Sequence, residues 1–255
     1  MLDARELPYI PRIDSAKPKD VFSQYTSILG LREFPRSPSE VPHHVRLPRE
    51  VIGDLGYVVK LTSEDPKHRE RDQNVFFQKG NFVKSDISIG SESGTSKTGE
   101  LKRRLRAAIG ERAFLSFHTH PQGRDTLSEG DLAVALGNSN TDLIEAMASP
   151  KRVVALFRTK YEIDTPTIPL VTENLILRYL NKAYGKLVKR FLGKASYQDI
   201  RTRLNLERLK YLEERGVAVL YADITPDQIL TNFKDGLVLT KVTQDMIRNL
   251  KLDLL

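Results

Sequence analysis

The sequence predicts a mixed α/β (α+β) fold: a mixed β-sheet flanked by helices, with a mostly helical C-terminal extension. Three observations point there. Between residues 46 and 170, short segments rich in β-branched and aromatic residues recur at strand length. Helical periodicity is interleaved among them, the pattern of a sheet covered by helices. Beyond residue 171, longer amphipathic patterns take over. The expected organisation is an N-terminal arm (1–42), a central α/β domain (43–170) and a mainly helical C-terminal domain (171–255).

The arm carries Pro8, Pro11, Pro18, Pro35, Pro38 and Pro42. Proline disfavours long helices and central strands, so the arm reads as extended and surface-lying, with one short helix at "KDVFSQYTSIL" (19–29). In the central domain, "LGYVVKL" (55–61), "NVFF" (74–77), "FVKSDISI" (82–89), "AFLSFHTH" (113–120) and "RVVALFRTK" (152–160) read as strands. "TGELKRRLRAAIG" (98–110) has Leu101, Leu105 and Ala108 at helical spacing and reads as a helix. A second helix is expected to begin near Ser128 and stop at Gly137. Residues 63–73 and 90–99 read as loops.

In the C-terminal stretch, residues 172–193 form an amphipathic helix candidate whose Arg178, Lys182, Lys186 and Lys189 make a basic stripe. Residues 197–216 read as another helix. "VAVLYADI" (217–224) and "GLVLTKV" (236–242) are expected to pair as a hairpin, in a unit of winged-helix-like character.

Composition limits the chemistry. Of 255 residues none is cysteine, which excludes disulfides, thiolate metal ligands and a cysteine nucleophile. Any metal must be held by His, Asp or Glu. The net charge of +7 favours an acidic partner, nucleic acid or an acidic protein surface, and does not choose between them; the chain has no aromatic-glycine RNA motif to favour nucleic acid. No apolar run reaches the length of a membrane span, and the first residues lack a secretory pattern, so a cytoplasmic protein with no membrane partner is expected.

The stretch "FHTHPQGRDTLSEGD" (117–131) concentrates the remaining signal. On a strand, alternate side chains share a face, so His118 and His120 point the same way and both reach one cation at about 2.0–2.1 Å. Pro121 ends the strand, and a loop returns the chain to a helix whose first turn holds Ser128 and Asp131. Each half has an ordinary explanation: two polar residues on a wet strand face, and a Ser-x-x-Asp capping box. Their conjunction at one spacing is expected by chance in well under about one chain in a hundred. Two of the five histidines fall here.

His118-Thr119-His120-Pro121, seven residues from Pro121 to Leu127, then Ser128 and Asp131, resembles the JAMM motif of the MPN+ (Mov34/JAB) zinc metalloproteases. The resemblance covers about half the chain. It implies an MPN-type sheet flanked by helices, and hydrolysis of a peptide or isopeptide bond at the C-terminus of ubiquitin or a ubiquitin-like protein. His118, His120 and Asp131 would hold Zn²⁺, which activates a water. Ser128 would donate to the oxyanion of the tetrahedral intermediate. The family also uses an upstream glutamate at the start of a strand as general base. "REVIGDLGYVVKL" (49–61) looks like that element, which makes Glu50 the expected catalytic residue, with Gly53 and Gly56 as its small residues. The rival within the class is a peptidase trimming a sulfur-carrier protein. The rival outside it is a nucleic-acid-binding or scaffold protein acting through the basic C-terminal unit.

Overall fold

A computed structural model describes residues 18–78, 80–90, 113–121, 124–136, 142–160, 182, 185–186, 188–191, 195–250 and 252–254. The helix expected over 98–110 lies outside the described residues. So does much of 172–193, whose described residues 182, 185, 186 and 188–191 are helical.

The chain runs α1 (Pro18–Ile28), β1 (His44–Leu47), α2 (Arg49–Ile52), α3 (Leu55–Ser63), β2 (Arg71–Gln78), β3 (Asn81–Lys84), β4 (Ser88–Ile89), β5 (Ala113–Thr119) and α4 (Glu129–Leu136). It continues with β6 (Ile144–Ala148), β7 (Arg152–Arg158), α5 (Tyr197–Glu213), β8 (Val217–Asp223), α6 (Pro226–Leu230), β9 (Leu237–Lys241) and α7 (Gln244–Leu250). The nine strands form one mixed sheet in the order β1-β9-β8-β7-β6-β5-β2-β3, with β4 also on β2. The β5–β6 pair is parallel and its neighbours are antiparallel. A mixed sheet flanked by helices is the expected class. No helix among the described residues is long and apolar enough to cross a membrane.

Alternation along the strands feeds two cores, one on each face of the sheet. Val153, Ala155 and Phe157 of β7 point to the larger, with Phe117 of β5 and Leu220 of β8. Val154 and Leu156 point to the smaller, with Val217 and Val219 of β8 and Leu209 and Leu212 of α5. Met147, opposite His118 in the β5–β6 ladder, belongs to the smaller core. Ser116 and His118 therefore lie on the face that α4 and α5 cover.

Three expectations are corrected. Residues 55–61 are helix, not strand. Leu55, Val58, Val59 and Thr62 are all buried, at the three- and four-residue steps of a helix face, so tertiary burial overrules the β propensity of the valines. The stretch 18–42 is not a surface arm: Tyr25, Leu29, Phe34 and Val41 are buried in the larger core, and Phe34 stacks on Phe157. The strands of the C-terminal stretch do not stand apart as a winged-helix-like unit. β8 runs along β7 from Arg152↔Asp223 to Arg158↔Val217, and β9 pairs with β1. The expected hairpin contact between β8 and β9 is confined in the ladder to Leu220↔Lys241 and Tyr221↔Thr240.

Gly53 and Gly56 have local structural reasons. Gly53 has φ +66°, the left-handed region. At Gly56 a Cβ would lie 2.6 Å from the Ile229 carbonyl oxygen and 2.9 Å from Asn232 Cα. That close approach lets Asn232 accept from the Gly56 N–H and donate to the Gly53 carbonyl. Gly56→Ala should therefore destabilise the protein by about 1–3 kcal/mol through backbone overlap, read as a lowered denaturation midpoint.

Candidate metal centre

Strand β5 sets the first two donors. His118 and His120 are 7% and 4% exposed, and their Nε2 atoms lie 3.1 Å apart. The His120 N–H donates to the Ala148 carbonyl at 2.8 Å, which fixes the backbone where the strand ends. Thr119 points to the other face. It exchanges hydrogen bonds with the backbone of Arg71 at 3.2 Å and meets the Thr62 hydroxyl of α3.

Helix α4 brings the third donor. The Ser128 N–H donates to Asp131 Oδ2 at 2.6 Å, and the Asp131 N–H donates to Ser128 Oγ at 3.1 Å. This is the reciprocal capping box. It aims the carboxylate at the histidines, with Oδ1 3.3 Å from His118 Nε2 and Oδ2 3.5 Å from His120 Nε2. Capping and convergence are thus one arrangement rather than alternatives.

The electrostatics agree with the geometry. Burial, and then the neighbouring His118, push His120 down to about 4, so its imidazole is neutral at pH 7. Burial alone would raise Asp131. The histidines and the Ser128 N–H outweigh it and hold the carboxyl well below the usual carboxylate range. In metal-free protein, the His120 ring should titrate near pH 4 by NMR rather than near the ordinary ~6.5. Because the unfolded chain takes up this proton at ~6.5, the stability contributed by neutral His120 is complete above that pH. It is lost as pH falls towards about 4.

Each of the three side chains offers one ligand atom within 4.8 Å of the others, so the group could hold a metal ion. The two imidazole nitrogens stand 3.1 Å apart, against about 3.3–3.6 Å between tetrahedral ligands at about 2.0–2.2 Å from an ion. Among the described residues, His118, His120 and Asp131 are the His and acidic side chains close enough to share an ion.

The glutamate that the structure brings beside His120 is Glu70, not the expected Glu50. Glu50 is exposed on α2, outside this cluster. The carboxylate beside the histidines is Glu70, whose Oε1 is 3.8 Å from His120 Nε2 and 3.8 Å from Arg124 Nη1. Glu70 closes the loop between α3 and β2. Its carbonyl accepts from the Gly90 N–H, and its side chain is 15% exposed. Asp65, itself 5% exposed, holds both flanks by accepting from Arg69 Nε at 3.0 Å and Arg71 Nη2 at 2.8 Å. Burial raises the Glu70 pKa, which the charge on His118 opposes. The signal for Glu70 in the sequence is faint: one acid within "KHRERDQ", next to a strand. The antiparallel register supplies the rest, since Arg71 lies opposite Thr119 and Glu70 therefore falls beside His120.

Comparison with family models, curated proteins and solved structures yields no match to this chain.

Proposed function

We propose that this protein is a zinc-dependent metalloprotease of the JAMM/MPN+ type, hydrolysing a peptide or isopeptide bond at the C-terminus of ubiquitin or a ubiquitin-like protein. The observation that carries the reading is the convergence of His118, His120 and Asp131 with a half-buried glutamate, Glu70, at its side. The mixed sheet with both histidines at the end of β5 and Asp131 on the following helix supports the fold type.

His118 Nε2, His120 Nε2 and the Asp131 carboxylate are the residues that would hold the ion. Bound there, Zn²⁺ supplies the Lewis acidity that makes water a nucleophile near neutral pH. Glu70 takes a proton from the attacking water and returns it to the leaving amine. Its burial raises its pKa towards the value that both tasks need. Ser128 Oγ accepts from the Asp131 N–H, which leaves its own proton to donate to the developing oxyanion. The products are a carboxylate tail and a free amine, with no covalent enzyme intermediate, in keeping with a chain that has no cysteine. The net charge of +7 suits an acidic partner surface.

Elemental mass spectrometry of the purified chain tests the centre, with one zinc per chain expected. Hydrolysis of a fluorogenic amide on a ubiquitin-like C-terminal tail tests the chemistry. Zinc without cleavage of any such tail, tested across ubiquitin and sulfur-carrier tails, would remove the substrate assignment. A metal-free, inactive chain after zinc is supplied would remove the enzyme.

A further inference from the structure

Helix α5 presents Arg201, Asn205 and Arg208, at steps of four and three, on a single face. That face would ordinarily be apolar, since Asn205 and Arg208 are only 1% and 3% exposed. Its three polar residues are instead spent on the start of α4 and on residues 252–254. Arg208 pairs with Glu129, the first residue of α4. Arg201 Nη2 donates to both oxygens of Asp253, at 2.7 and 2.6 Å. Asn205 Nδ2 donates to the Leu252 carbonyl at 3.1 Å and to Asp253 at 3.0 Å. The strap so held, residues 252–254, reaches the site's entry loop: the Leu127 N–H donates to the Leu254 carbonyl at 3.0 Å. Leu127 and Leu254 are both buried in the smaller core.

We propose that α5, through Arg208 and the strap of residues 252–254, is a positioning element that fixes the first turn of α4 and with it the Asp131 carboxylate. The inference rests on reading His118, His120 and Asp131 as a metal centre. A guanidinium at a helix N-terminus opposes the helix dipole, so Arg208 is not there to support α4 as a helix. Its buried charge makes sense as a fixed post. Glu129 lies between Ser128 and Asp131, so holding it from one side, and Leu127 from the other, locks the capping box onto the histidines. A metal centre requires its donors within about 0.5 Å of their working positions, and partners behind the donors supply that restraint. Arg208 and Asp253 touch no reacting atom and are positioning residues.

The test uses the full chain. Arg208→Met keeps the buried stem and removes the charge, while leaving Glu129 free to reach solvent. In metal-free protein, hydrogen exchange at the Asp131 and Leu132 amides should rise by about tenfold, with β7 and β8 amides unchanged. Zinc, titrated against a chelating indicator, should bind about 10–100-fold more weakly. Arg208→Lys should recover part of both effects. Val219→Ala serves as the control: it loosens the same core without touching the polar face of α5, and should lower the unfolding temperature while leaving zinc affinity and α4 exchange as they are. Wild-type exchange at Asp131 and Leu132 in Arg208→Met overturns the proposal, and so does an equal loss of zinc affinity in the control. If the wild-type chain takes up no zinc, the metalloprotease reading falls by itself, and the exchange measurement still decides for or against the clamp.

Discussion

Glu70→Gln should reduce hydrolysis by about 10²–10⁴-fold while zinc content stays at the wild-type level, and Glu50→Gln should change neither. Glutamine has the shape of glutamate and cannot take up the proton, so the substitution removes chemistry and little else. The side chain is 15% exposed, and Asp65 fixes both neighbours, so the loop should keep its place. Zinc should stay because the converging donors belong to His118, His120 and Asp131. Glu50 is exposed on α2 and is not among the side chains that converge with the histidines. The measurement pairs the rate of amide hydrolysis at saturating zinc with elemental analysis of each variant. An inactive Glu50→Gln beside an active Glu70→Gln would mean that the sequence pattern around Glu50 was the better guide and that the assignment to Glu70 is wrong.

The contrast between these glutamates shows what the sequence makes legible. His118 and His120 could be found because strand alternation is local: two residues on one strand share a face whatever else the chain does. Asp131 was within reach because a capping box is also local, and its distance from the strand is a fixed count of residues. Glu70 depends on how β2 pairs with β5, a non-local register that leaves no mark near residue 70. The same physics hid the role of the C-terminal stretch. β9 pairs with β1 through partners such as His44 and Thr240, which lie 196 residues apart, and no local pattern announces such a ladder. In α3 the failure was of another kind. Val58 and Val59 favour a strand by propensity, but the buried stripe Leu55, Val58, Val59 and Thr62 has helical steps, and burial outweighs a preference worth only tenths of a kcal/mol per residue.

Asp131→Asn should separate the two explanations that the motif allows, a capped helix beside a polar strand or a metal centre. Asparagine keeps an oxygen that can accept from the Ser128 N–H, so helix α4 should lose no more than about 1 kcal/mol of stability. The charge is what disappears. An imidazole binds a cation only through a neutral nitrogen, so Asp131 would be the anionic donor of the set, and a cation facing two imidazoles and a neutral amide has lost its main electrostatic attraction. Zinc affinity should fall by more than the roughly 100-fold that losing an outer partner can cost, while the unfolding curve of the metal-free protein barely moves. Ser128→Ala should do the reverse. Loss of the hydroxyl weakens the cap by about 1 kcal/mol, leaves zinc bound, and slows hydrolysis by about 10²–10³-fold, the effect of losing one oxyanion donor. Chelator competition, thermal unfolding and turnover on the two variants distinguish the cases. If Asp131→Asn retains zinc as tightly as the wild type, the carboxylate serves α4 alone and the histidines need another explanation. If it loses zinc and keeps its fold, the capping box is what aims the third ligand.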